Sequence, residues 1–593
     1  MIQENVDITH LTTFGIPVKA RYYAEFSSEN ELLKISRDPV FLENEVLCIG
    51  GGSNLLFVGN YDGLVIRPRI DSLVRYNKDD NHVFAIAGAG VRWVDFVEWC
   101  ISENLSGVEN LAGIPGDVGA APVQNVGAYG VEARDIIHAV ECFDLTTRQV
   151  RRFTNEECRF GYRDSFFKHE GKGRFVVLRV SFRLTPSTEA HNLEYGPLRD
   201  LASRLGHTPT IREVADEIIA IRNAKLPDPA ITGSAGSFFK NPVVRNGFLP
   251  EIAHLTGHTL SGYPADDTHT KISAAWLIDH AGMKGVRVGG AYVYENQPLV
   301  IANDGHATGQ DVVALADKIR RAVQREFLID LRPEVNYIDT AIHVRILGSG
   351  TSKGVPEIGC GCEVCESADL HDKRLRTSCL INTMGMNILI DPGPDFRQQA
   401  LAAGLSHLDA VLITHSHYDH VGGLDDLRPF CMRGYLPVYA SASVAAELRR
   451  HYDYCFAEHK YPGVPVFDLK EIGNNPFSIN GLKIVPIEVL HGKKPINGFR
   501  IGKFAYITDA KVVEPQEIEK LKGVDTLVVN ALRARDHFAH FTIDEALHFA
   551  SEVKARQTYF THMTHEVGKH DLFAASLPAG VAPAYDSLEF TVC

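Results

Sequence analysis

Residues 331–350 read LRPEVNYIDTAIHVRILGSG and contain the junction between the two halves of the chain. The left part, LRPEV, closes the first half with a carboxylate, Glu334, directly after a proline. The right part, HVRILGSG, alternates apolar and polar residues and then enters a glycine turn, as the first strand of a new domain does. Because almost no linker separates the two parts, the sequence predicts two catalytic domains joined end to end.

Length and composition exclude several classes of protein. The 593 residues are too many for one hydrophobic core, and 45% hydrophobic with 23% charged residues is ordinary for a globular protein. A net charge of −14 gives no general footprint for nucleic acid, although a local basic groove is compatible with that total. The N-terminal residues have no secretory signal, and no run of about 18 apolar residues occurs. We therefore expect a cytoplasmic protein with no membrane partner and no nucleic-acid partner.

A first glycine-rich stretch, VLCIGGGSNLLF, covers residues 46–57. It predicts a buried strand, a glycine turn and a second apolar segment. Its three glycines let backbone N–H groups approach a phosphate, and Ser53 and Asn54 add side-chain partners. The stretch is not the GxGxxG fingerprint of dinucleotide-binding folds, and such a turn taken alone is more often purely structural.

A second stretch, GIPGDVGAAPVQNVGAYG, covers residues 113–130 and contains too many glycines and prolines for a regular helix or a central strand. Its small residues would let the chain lie flat against a large planar ligand. Downstream, FGYRDSFFK places Arg163 among aromatic residues, and GSAGSFFKNP places Ser237 in a glycine-flanked turn. A serine there is usually a turn residue, and no GxSxG motif surrounds it, so a Ser-His-Asp hydrolase is disfavoured.

Residues 1–340 resemble the UDP-N-acetylenolpyruvoylglucosamine reductases of bacterial peptidoglycan synthesis. The matching motifs occur in the family's order: TTFGIP, GGGSNLL, GIPGDVGAAPVQNVGAYG, YRDSFFK, KLPDP, GSFFKNP, SAAWLIDHAG and RPEV. The resemblance implies an α+β FAD-binding portion of the vanillyl-alcohol-oxidase type over residues 1–215. It also implies a smaller α+β substrate domain over residues 216–341, which includes the return segment with Glu334.

The family's reaction implies the cofactors FAD and NADPH. NADPH reduces FAD, and the flavin passes a hydride to the enolpyruvyl group of UDP-N-acetylglucosamine enolpyruvate, which gives UDP-N-acetylmuramate. Arg163 would hold the substrate carboxylate and stabilise the enolate. By the same resemblance, Ser237 is the proton donor to the carbanion carbon, and Glu334 acts on the same intermediate.

The resemblance also assigns binding residues. Tyr195, Lys225 and Asn241 match family positions near the UDP diphosphate, where a mobile lysine suits a phosphate. The predicted FAD contacts lie in the two glycine-rich stretches, at Gly50, Gly51, Gly52, Ser53, Asn54, Gly116, Gly119, Ala120, Gln124 and Asn125. The chain departs from the family at Arg332 and Asn296, but neither departure removes a chemical group.

The second half contains a dense cluster of metal-binding side chains. LDAVLITHSHYDHVGGL, residues 408–424, predicts a strand, a loop and a helix. Its loop and helix contain His415, His417, Asp419 and His420. Alternate residues of a loop at a strand end can point at one ion, and the next turn can offer ligands to a second. Further candidates each follow an apolar β-rich run, so they would collect at one edge of a sheet layer: His491, Asp509, His562 and His565.

Three of the 11 cysteines, Cys360, Cys362 and Cys365, are bunched in one glycine-rich loop, and the others are scattered. Scattered thiols without a targeting segment fit a reducing cytosol, and the bunch indicates metal rather than disulfides. Three thiolates are one short of a tetrahedral site, so a fourth ligand must come from elsewhere.

This half is similar to the metallo-β-lactamase-fold hydrolases, which implies an αββα sandwich over residues 342–593 with two divalent metals, zinc or manganese, at its rim. By that resemblance one metal is held by His415, His417, His491 and Asp509. The other is held by Asp419, His420, Asp509 and His562, so that Asp509 bridges the two.

A closer likeness is to the cyclic phosphodiesterases of the carbon–phosphorus lyase pathway. It implies a structural zinc at Cys360, Cys362, Cys365 and His565. It also matches His540 to the position of their general acid, although a surface histidine before a helix that starts at Thr542 is an equally frequent alternative.

Two neighbouring metals activate water at neutral pH and clamp a phosphodiester for in-line attack. The tRNA 3′-processing endonucleases share the ligand set but carry a basic, glycine-rich arm that grips RNA, and no such insertion is evident here. We therefore predict a small phosphodiester as the partner of this domain. The alternatives are a nuclease or tRNA-processing enzyme, and a non-catalytic module, against which the intact chemistry of both halves argues.

Overall fold

The computed structural model describes residues 2–77, 82–190, 192–339, 341–431, 435–457 and 463–592. The chain forms two compact units, Met1–Asp339 and Thr340–Cys593. Within the described ranges, none of the helices combines the length and the apolar character that crossing a membrane requires.

The first unit is a mixed α and β structure. Its strands are β1 Gln3–Asp7, β2 Lys19–Phe26, β3 Val46–Cys48, β4 Leu55–Phe57, β5 Tyr61–Pro68, β6 Leu73–Asn77, β7 Val83–Gly88, β8 Leu105–Ser106, β9 Gly127–Ala128, β10 Val131–Glu132, β11 Ile137–Asp144, β12 Gln149–Thr154, β13 Phe175–Pro186, β14 Gly233–Ser237, β15 Val243–Arg245, β16 Gly262–Pro264, β17 His269–Ile272, β18 Arg287–Val288, β19 Ala291–Val293, β20 Val300–Asn303 and β21 Asn336–Ile338. Its α-helices are α1 Glu29–Ile35, α2 Pro39–Glu43, α3 Trp93–Ser102, α4 Ala121–Gln124, α5 Ala133–Ile136, α6 Leu201–Leu205, α7 Ile211–Lys225, α8 Leu249–Thr256, α9 Ala274–His280 and α10 Gly309–Phe327.

Two larger sheets form the first part of this unit, and β9 and β10 pair as a small two-stranded sheet. One has the order β1-β2-β5-β3, and the other has the order β12-β11-β13-β7-β6, with β8 on β13. The second sheet buries its apolar face against α3, where Trp93 and Phe96 contact Phe182. The predicted strand, glycine turn and strand over residues 46–57 are present as β3 and β4. Residues 113–130 contain little regular structure, as predicted. The exceptions are a 3-10 turn at Val118–Ala120, the single turn of α4, which begins beside a proline, and the two-residue strand β9.

The second part contains the sheets β14-β20-β19-β18 and β15-β17-β16. Its core packs α8, α9 and α10 around Phe238, and the N-terminal Phe14 and Leu56 belong to the same core. The predicted boundary between residues 215 and 216 lies inside α7, whose buried face, including Val214 and Ile218, packs into the core of the first part.

The end of the first unit returns to its beginning. Strand β21 pairs in parallel with β4, directly after the first glycine turn. The backbone N–H of Asn336 also donates to the carbonyl oxygen of Asn54 at 3.0 Å. The segment with Glu334 is therefore held beside the glycine-rich stretch of residues 46–57.

The second unit consists of two seven-stranded sheets. Its strands are β22 Ile342–Gly348, β23 Ser378–Thr383, β24 Met386–Ile390, β25 Ala410–Leu412, β26 Leu436–Ser441, β27 Phe467–Ile472, β28 Phe477–Ile479, β29 Leu482–His491, β30 Lys494–Ile501, β31 Phe504–Ile507, β32 Thr526–Asn530, β33 Gln557–Thr561, β34 Val581–Pro583 and β35 Glu589–Val592. Its α-helices are α11 Phe396–Ala402, α12 Tyr418–Val421, α13 Arg428–Cys431, α14 Ala442–His451, α15 Asp453–Phe456, α16 Pro515–Glu519, α17 Ile543–Val553 and α18 His570–Ser576.

The two sheets pack face to face, and the helices cover their outer faces. The sheet orders are β27-β26-β25-β24-β23-β22-β35 and β28-β29-β30-β31-β32-β33-β34. Ile346 and Ile388 of the first sheet share one core with Tyr506 and Val528 of the second. Helices α11 and α14 cover the first sheet, and α17 covers the second. The predicted αββα sandwich is confirmed.

One glycine of the first unit generates a prediction. Gly52 has a φ of +60°, and a Cβ there would lie 1.9 Å from the carbonyl oxygen of Leu11. We expect Gly52→Ala to lower the free energy of unfolding of the first unit by about 2 kcal/mol or more, because both the φ angle and the clash oppose alanine.

The control is Gly59→Ala, since a Cβ on Gly59 meets nothing within 4 Å. Urea unfolding of the full chain, followed by tryptophan fluorescence, measures both variants, because all three tryptophans lie in the first unit. Equal stability of the two variants would contradict the argument.

Candidate active sites

The predicted cofactor glycines form a narrow cradle between two loops. A Cβ on Gly51 would lie 2.8 Å from Cα of Gly116, so only glycine permits this close approach. The hydroxyl of Ser53 donates to the carbonyl oxygen of Pro115 at 3.1 Å and ties the loops together. Glycines at these positions leave the backbone of the loops uncovered by side chains, which fits the phosphates and flat ring of a flavin nucleotide.

Other predicted cofactor residues border this cradle. The Asn54 side chain donates to the side-chain oxygen of Gln124 and, at 3.2 Å, to the carbonyl oxygen of Glu334. Asn125 is fully buried, and its amide bonds to the carbonyl oxygen of Gly161 and to Glu132. The Asn125 side chain therefore holds the loop, so any contact it makes with a cofactor must come from its backbone.

Asp117 is a residue of this site that sequence reasoning missed. Its carboxylate lies beside Gly50 and Gly51 and 4.0 Å from Arg67. Burial raises the pKa of Asp117 to about 6. The sequence did contain an indication of its role, because Asp117 lies inside the GIPGDVG motif of the second glycine-rich stretch.

Arg163 and Glu334 form an ion pair on the side of the cradle where the return segment runs. The Arg163 Nε lies 2.9 Å from the Glu334 Oε1, and both side chains are mostly buried. The backbone N–H of Glu334 donates to the carbonyl oxygen of Phe238 at 2.8 Å. Because Phe238 follows Ser237 directly, the return segment brings Glu334 next to the half-buried end of β14 that carries Ser237.

Two lysines that the sequence analysis did not single out surround this pair. The Nζ atoms of Lys168 and Lys240 both lie 3.5 Å from the carbonyl oxygen of Arg163. Burial, with Lys240 nearby, lowers the pKa of Lys168 to about 8, and burial also lowers the pKa of Lys240. Arg163 and the two lysines give three cations against the carboxylates of Glu334 and Asp164, so positive charge is in excess, which suits an anionic ligand.

The predicted UDP-contact residues are more dispersed. The Oδ1 of Asn241 accepts from the backbone N–H of Ala274 at 2.9 Å and so fixes the start of α9. Tyr195 is 48% exposed and packs edge-on against Tyr129, and Lys225 is the exposed last residue of α7. Among the described residues, no hydrogen bond or ion pair links Tyr195 or Lys225 to the pair of Arg163 and Glu334.

In the second unit, the predicted metal ligands converge where strands of both sheets end. His415 and His417 follow β25, and Asp419 and His420 lie in α12. From the other sheet, His491 ends β29, Asp509 follows β31 and His562 follows β33. Their ligand atoms form groups within 4.8 Å of one another: His415, His417 and His491 in one, and Asp419, His420, Asp509 and His562 in the other.

Asp509 lies between the two groups, and each of its carboxylate oxygens faces one of them. Its Oδ1 is 3.3 Å from the Nε2 atoms of both His420 and His562, whereas its Oδ2 is 3.8 Å from the Nε2 of His415. Burial opposes ionisation of Asp509, but His562 and His420 outweigh it and hold the pKa of Asp509 well below its usual range. A carboxylate placed in this way would be able to hold two cations, one with each group of histidines.

Hydrogen bonds fix which nitrogen each histidine offers. The Nδ1 of His420 bonds to Asp391 at 2.7 Å, and its buried Nε2 makes no hydrogen bond to any described residue. The Nδ1 of His491 lies 2.9 Å from the carbonyl oxygen of Asp509. Such partners orient imidazoles for metal binding, and the unpartnered Nε2 of His420, aimed at two carboxylates, fits a cation between them. Asp391 therefore belongs to this site, although the sequence analysis gave it no role.

His540 lies beside the first group. Its Nδ1 is 3.7 Å from the Oδ2 of Asp509, and it is within ligand distance of His491. Burial, partly offset by Asp509, lowers the pKa of His540 to about 3, so the ring is neutral at pH 7 unless an added negative charge raises its pKa. Thr542 is the N-cap of α17, as the surface alternative proposes, but His540 is buried.

The predicted cysteine site is also assembled. Cys360, Cys362, Cys365 and His565 have their ligand atoms within 4.8 Å of one another. The Nδ1 of His565 lies 3.4 Å from the sulfur of Cys365. A backbone hydrogen bond from Cys365 lowers the pKa of Cys362, which favours its thiolate. Three sulfurs and one imidazole nitrogen are the donor set of a structural zinc site.

Three family models match the chain. They are an FAD binding domain at residues 20–152, the C-terminal domain of UDP-N-acetylenolpyruvoylglucosamine reductase at residues 228–338, and a beta-lactamase superfamily domain at residues 386–563. UDP-N-acetylenolpyruvoylglucosamine reductase from Neisseria gonorrhoeae is 43% identical over 343 residues, which cover 57% of this chain and 98% of that protein.

Two solved structures are also similar. UDP-N-acetylenolpyruvylglucosamine reductase from Thermus caldophilus is 26% identical over 57% of this chain and 99% of its own length, with a TM-score of 0.40. A diphosphatase from the PhnP family is 37% identical over 43% of this chain and 98% of its own length, with a TM-score of 0.41.

The cysteine site generates a metal-content prediction. We expect Cys362→Ser to lower the zinc content of the purified full chain by about one ion, since a hydroxyl is a poor zinc ligand. The matched control is Glu363→Gln, because Glu363 is the next residue of the same loop and its side chain is 75% exposed. Elemental analysis after dialysis measures both, and an unchanged zinc content in Cys362→Ser would rule out this ligand set.

Proposed function

The chain belongs to the UDP-N-acetylenolpyruvoylglucosamine reductase family, and we propose that its first unit reduces the enolpyruvyl group of UDP-N-acetylenolpyruvoylglucosamine with electrons that NADPH delivers through FAD. The observation that carries the proposal is the ion pair of Arg163 and Glu334 beside Ser237. Arg163 and Glu334 come from separate segments and pair directly, and the backbone N–H of Glu334 donates to Phe238, the residue after Ser237.

Each group has a chemical task in this proposal. The Arg163 guanidinium binds the substrate carboxylate and stabilises the negative charge that hydride addition creates next to it. Ser237 donates its proton to the carbon that carries that charge, and Glu334 acts on the same intermediate. Lys168 and Lys240 add positive charge around Arg163, which lowers the cost of the developing anion. Tyr195, Lys225 and Asn241 are proposed contacts of the UDP diphosphate.

The cradle around Gly51 and Gly116 is the proposed FAD site. FAD, when bound, supplies the transfer of a hydride from NADPH to the enolpyruvyl carbon. The chain's part is to hold the isoalloxazine ring against the small residues of 113–130 and the phosphates against the backbone N–H groups of 50–54.

Ser237→Ala tests the proton donor. The purified full chain should be yellow and should oxidise NADPH only when the enolpyruvyl UDP-sugar is present. We expect Ser237→Ala to keep its colour and its flavin reduction by NADPH but to reduce the sugar about 10²–10⁴-fold more slowly, because only the protonation is lost.

Ser203→Ala, on the exposed face of α6, serves as the control. Stopped-flow absorbance of the flavin separates the two half-reactions. Unchanged sugar reduction in Ser237→Ala would remove this serine from the chemistry.

The second unit has the fold of the beta-lactamase superfamily, and we propose that it hydrolyses a small phosphodiester. The proposal is supported by the position of the Asp509 carboxylate. One of its oxygens faces His420 and His562, and the other faces His415. Two divalent ions held there would supply activation of water and neutralisation of the phosphodiester charge. The chain's own residues would hold the ions, and His540 is proposed to protonate the leaving oxygen.

The substrate of the second unit is tested by a panel with and without a chelator. We expect chelator-sensitive cleavage of bis-p-nitrophenyl phosphate and of cyclic nucleotides. His562→Ala should lower that cleavage about 10²-fold or more because it removes a ligand that faces Asp509. The control is His548→Ala, on the exposed face of α17. Cleavage of pre-tRNA alone, or of a diphosphate alone, would replace the small diester by that substrate.

A further inference from the structure

Residues 562–566 connect three features of the second unit. His562 lies in the dinuclear site, and His565 lies in the cysteine site. Between them, Thr564 donates from both its backbone N–H and its hydroxyl to the carbonyl oxygen of Leu532, each at 3.1 Å. One short segment therefore touches both candidate metal sites and the beginning of the loop that follows Leu532.

Glu566 extends this connection through two arginines. Its Oε1 lies 3.0 Å from Nη1 of Arg533, and its Oε2 lies 2.6 Å from Nη2 and 3.1 Å from Nε of Arg535. The side chains of Glu566 and Arg533 are mostly buried, at 27% and 24% exposure, whereas Arg535 is 75% exposed. A carboxylate shared by two guanidinium groups is a stronger restraint than an isolated surface pair.

The arginines belong to the loop 533–540, which ends at His540. Both ends of this loop are held, because the backbone N–H of Leu532 donates to the carbonyl oxygen of Phe541 at 3.0 Å, and that of Phe541 donates to Ala510 at 2.7 Å. Between these ends, the ion pairs of Glu566 hold the first half of the loop. At the end of the loop, the Nδ1 of His540 lies 3.7 Å from the Oδ2 of Asp509.

We propose that Glu566 is a positioning residue that ties the loop 533–540, and with it His540, to the site of Cys360, Cys362, Cys365 and His565. The proposal rests on the phosphodiesterase function proposed above. It gives the cysteine site a part in catalysis beyond stability, because whatever fixes His565 also fixes the next residue and the loop that this residue holds.

The chemistry of the leaving group makes the proposal testable. As the water oxygen bonds to phosphorus, the bond from phosphorus to the leaving oxygen breaks. His540, protonated once the negative charge of the diester lies beside it, gives its proton to that oxygen, and the proton that the water releases restores the imidazolium. An alkyl leaving group needs this proton because an alkoxide is strongly basic, whereas p-nitrophenolate leaves without it. Displacement of His540 therefore harms alkyl diesters selectively.

The experiment compares Glu566→Gln with wild type in the full chain on two diesters. One is dimethyl phosphate, a dialkyl ester, and the other is bis-p-nitrophenyl phosphate. We expect kcat/KM to fall about tenfold for the dialkyl ester and less than about twofold for the nitrophenyl ester. In a His540→Ala background, Glu566→Gln should add no further loss, because the two changes act on the same step. The matched control is Glu552→Gln, on the exposed face of α17.

A second readout does not depend on activity. We expect amide hydrogen exchange of the loop 533–540 to become about tenfold faster in Glu566→Gln and to stay unchanged in α12 and β31. Equal losses on both diesters, additive losses in the double variant, or unchanged exchange of the loop would overturn the proposal. If wild type cleaves no diester, the proposed function fails instead, and the exchange measurement alone decides whether Glu566 positions the loop.

Discussion

Both candidate sites depend on one constraint: a charge that is removed from water must meet an opposite charge. In the first unit, the mostly buried Glu334 meets Arg163, and two lysines leave an excess of positive charge for an anionic ligand. In the second unit, Asp509 and Asp419 are buried among histidines whose Nε2 atoms converge on them. The net positive charge of the first site selects an anion, and the carboxylates of the second site select cations. The chemistry of each site therefore follows from the sign of the net charge of its side chains.

The fold meets this constraint by delivering side chains from strand ends. In the second unit, Asp391, Asp509 and His562 all follow strands and adopt left-handed backbone angles, with φ between +56° and +58°. These angles are uncommon for residues other than glycine and turn the chain sharply at the edge of the sheet. The sandwich core fixes the strands, and the turns then aim the ligands at a common point.

The sequence predicted the parts of the sites that are local along the chain. HSHYDH and the cysteine loop contain their ligands within a few residues, so spacing alone marked them. Lys240 and Asp391 were missed because their importance comes from neighbours far away in the sequence, Arg163 and His420. Lys168 was overlooked although it lies only five residues from Arg163, in the YRDSFFK motif. Asn125 illustrates the reverse: its motif predicted a cofactor contact, but only the structure reveals that its amide is already bonded to the loop. The predicted domain boundary between residues 215 and 216 lies inside α7, because this helix continues past it to Lys225.

The pairing of β22 with β35 has a consequence for how such a chain can arise. The first and last strands of the second unit are hydrogen-bonded neighbours, so its entry and exit points lie side by side. A module with this property can be appended to, or inserted into, another protein without opening its own sheet. Gene fusion then needs only a continuous reading frame, and circular permutation of the module should lower its free energy of unfolding only slightly.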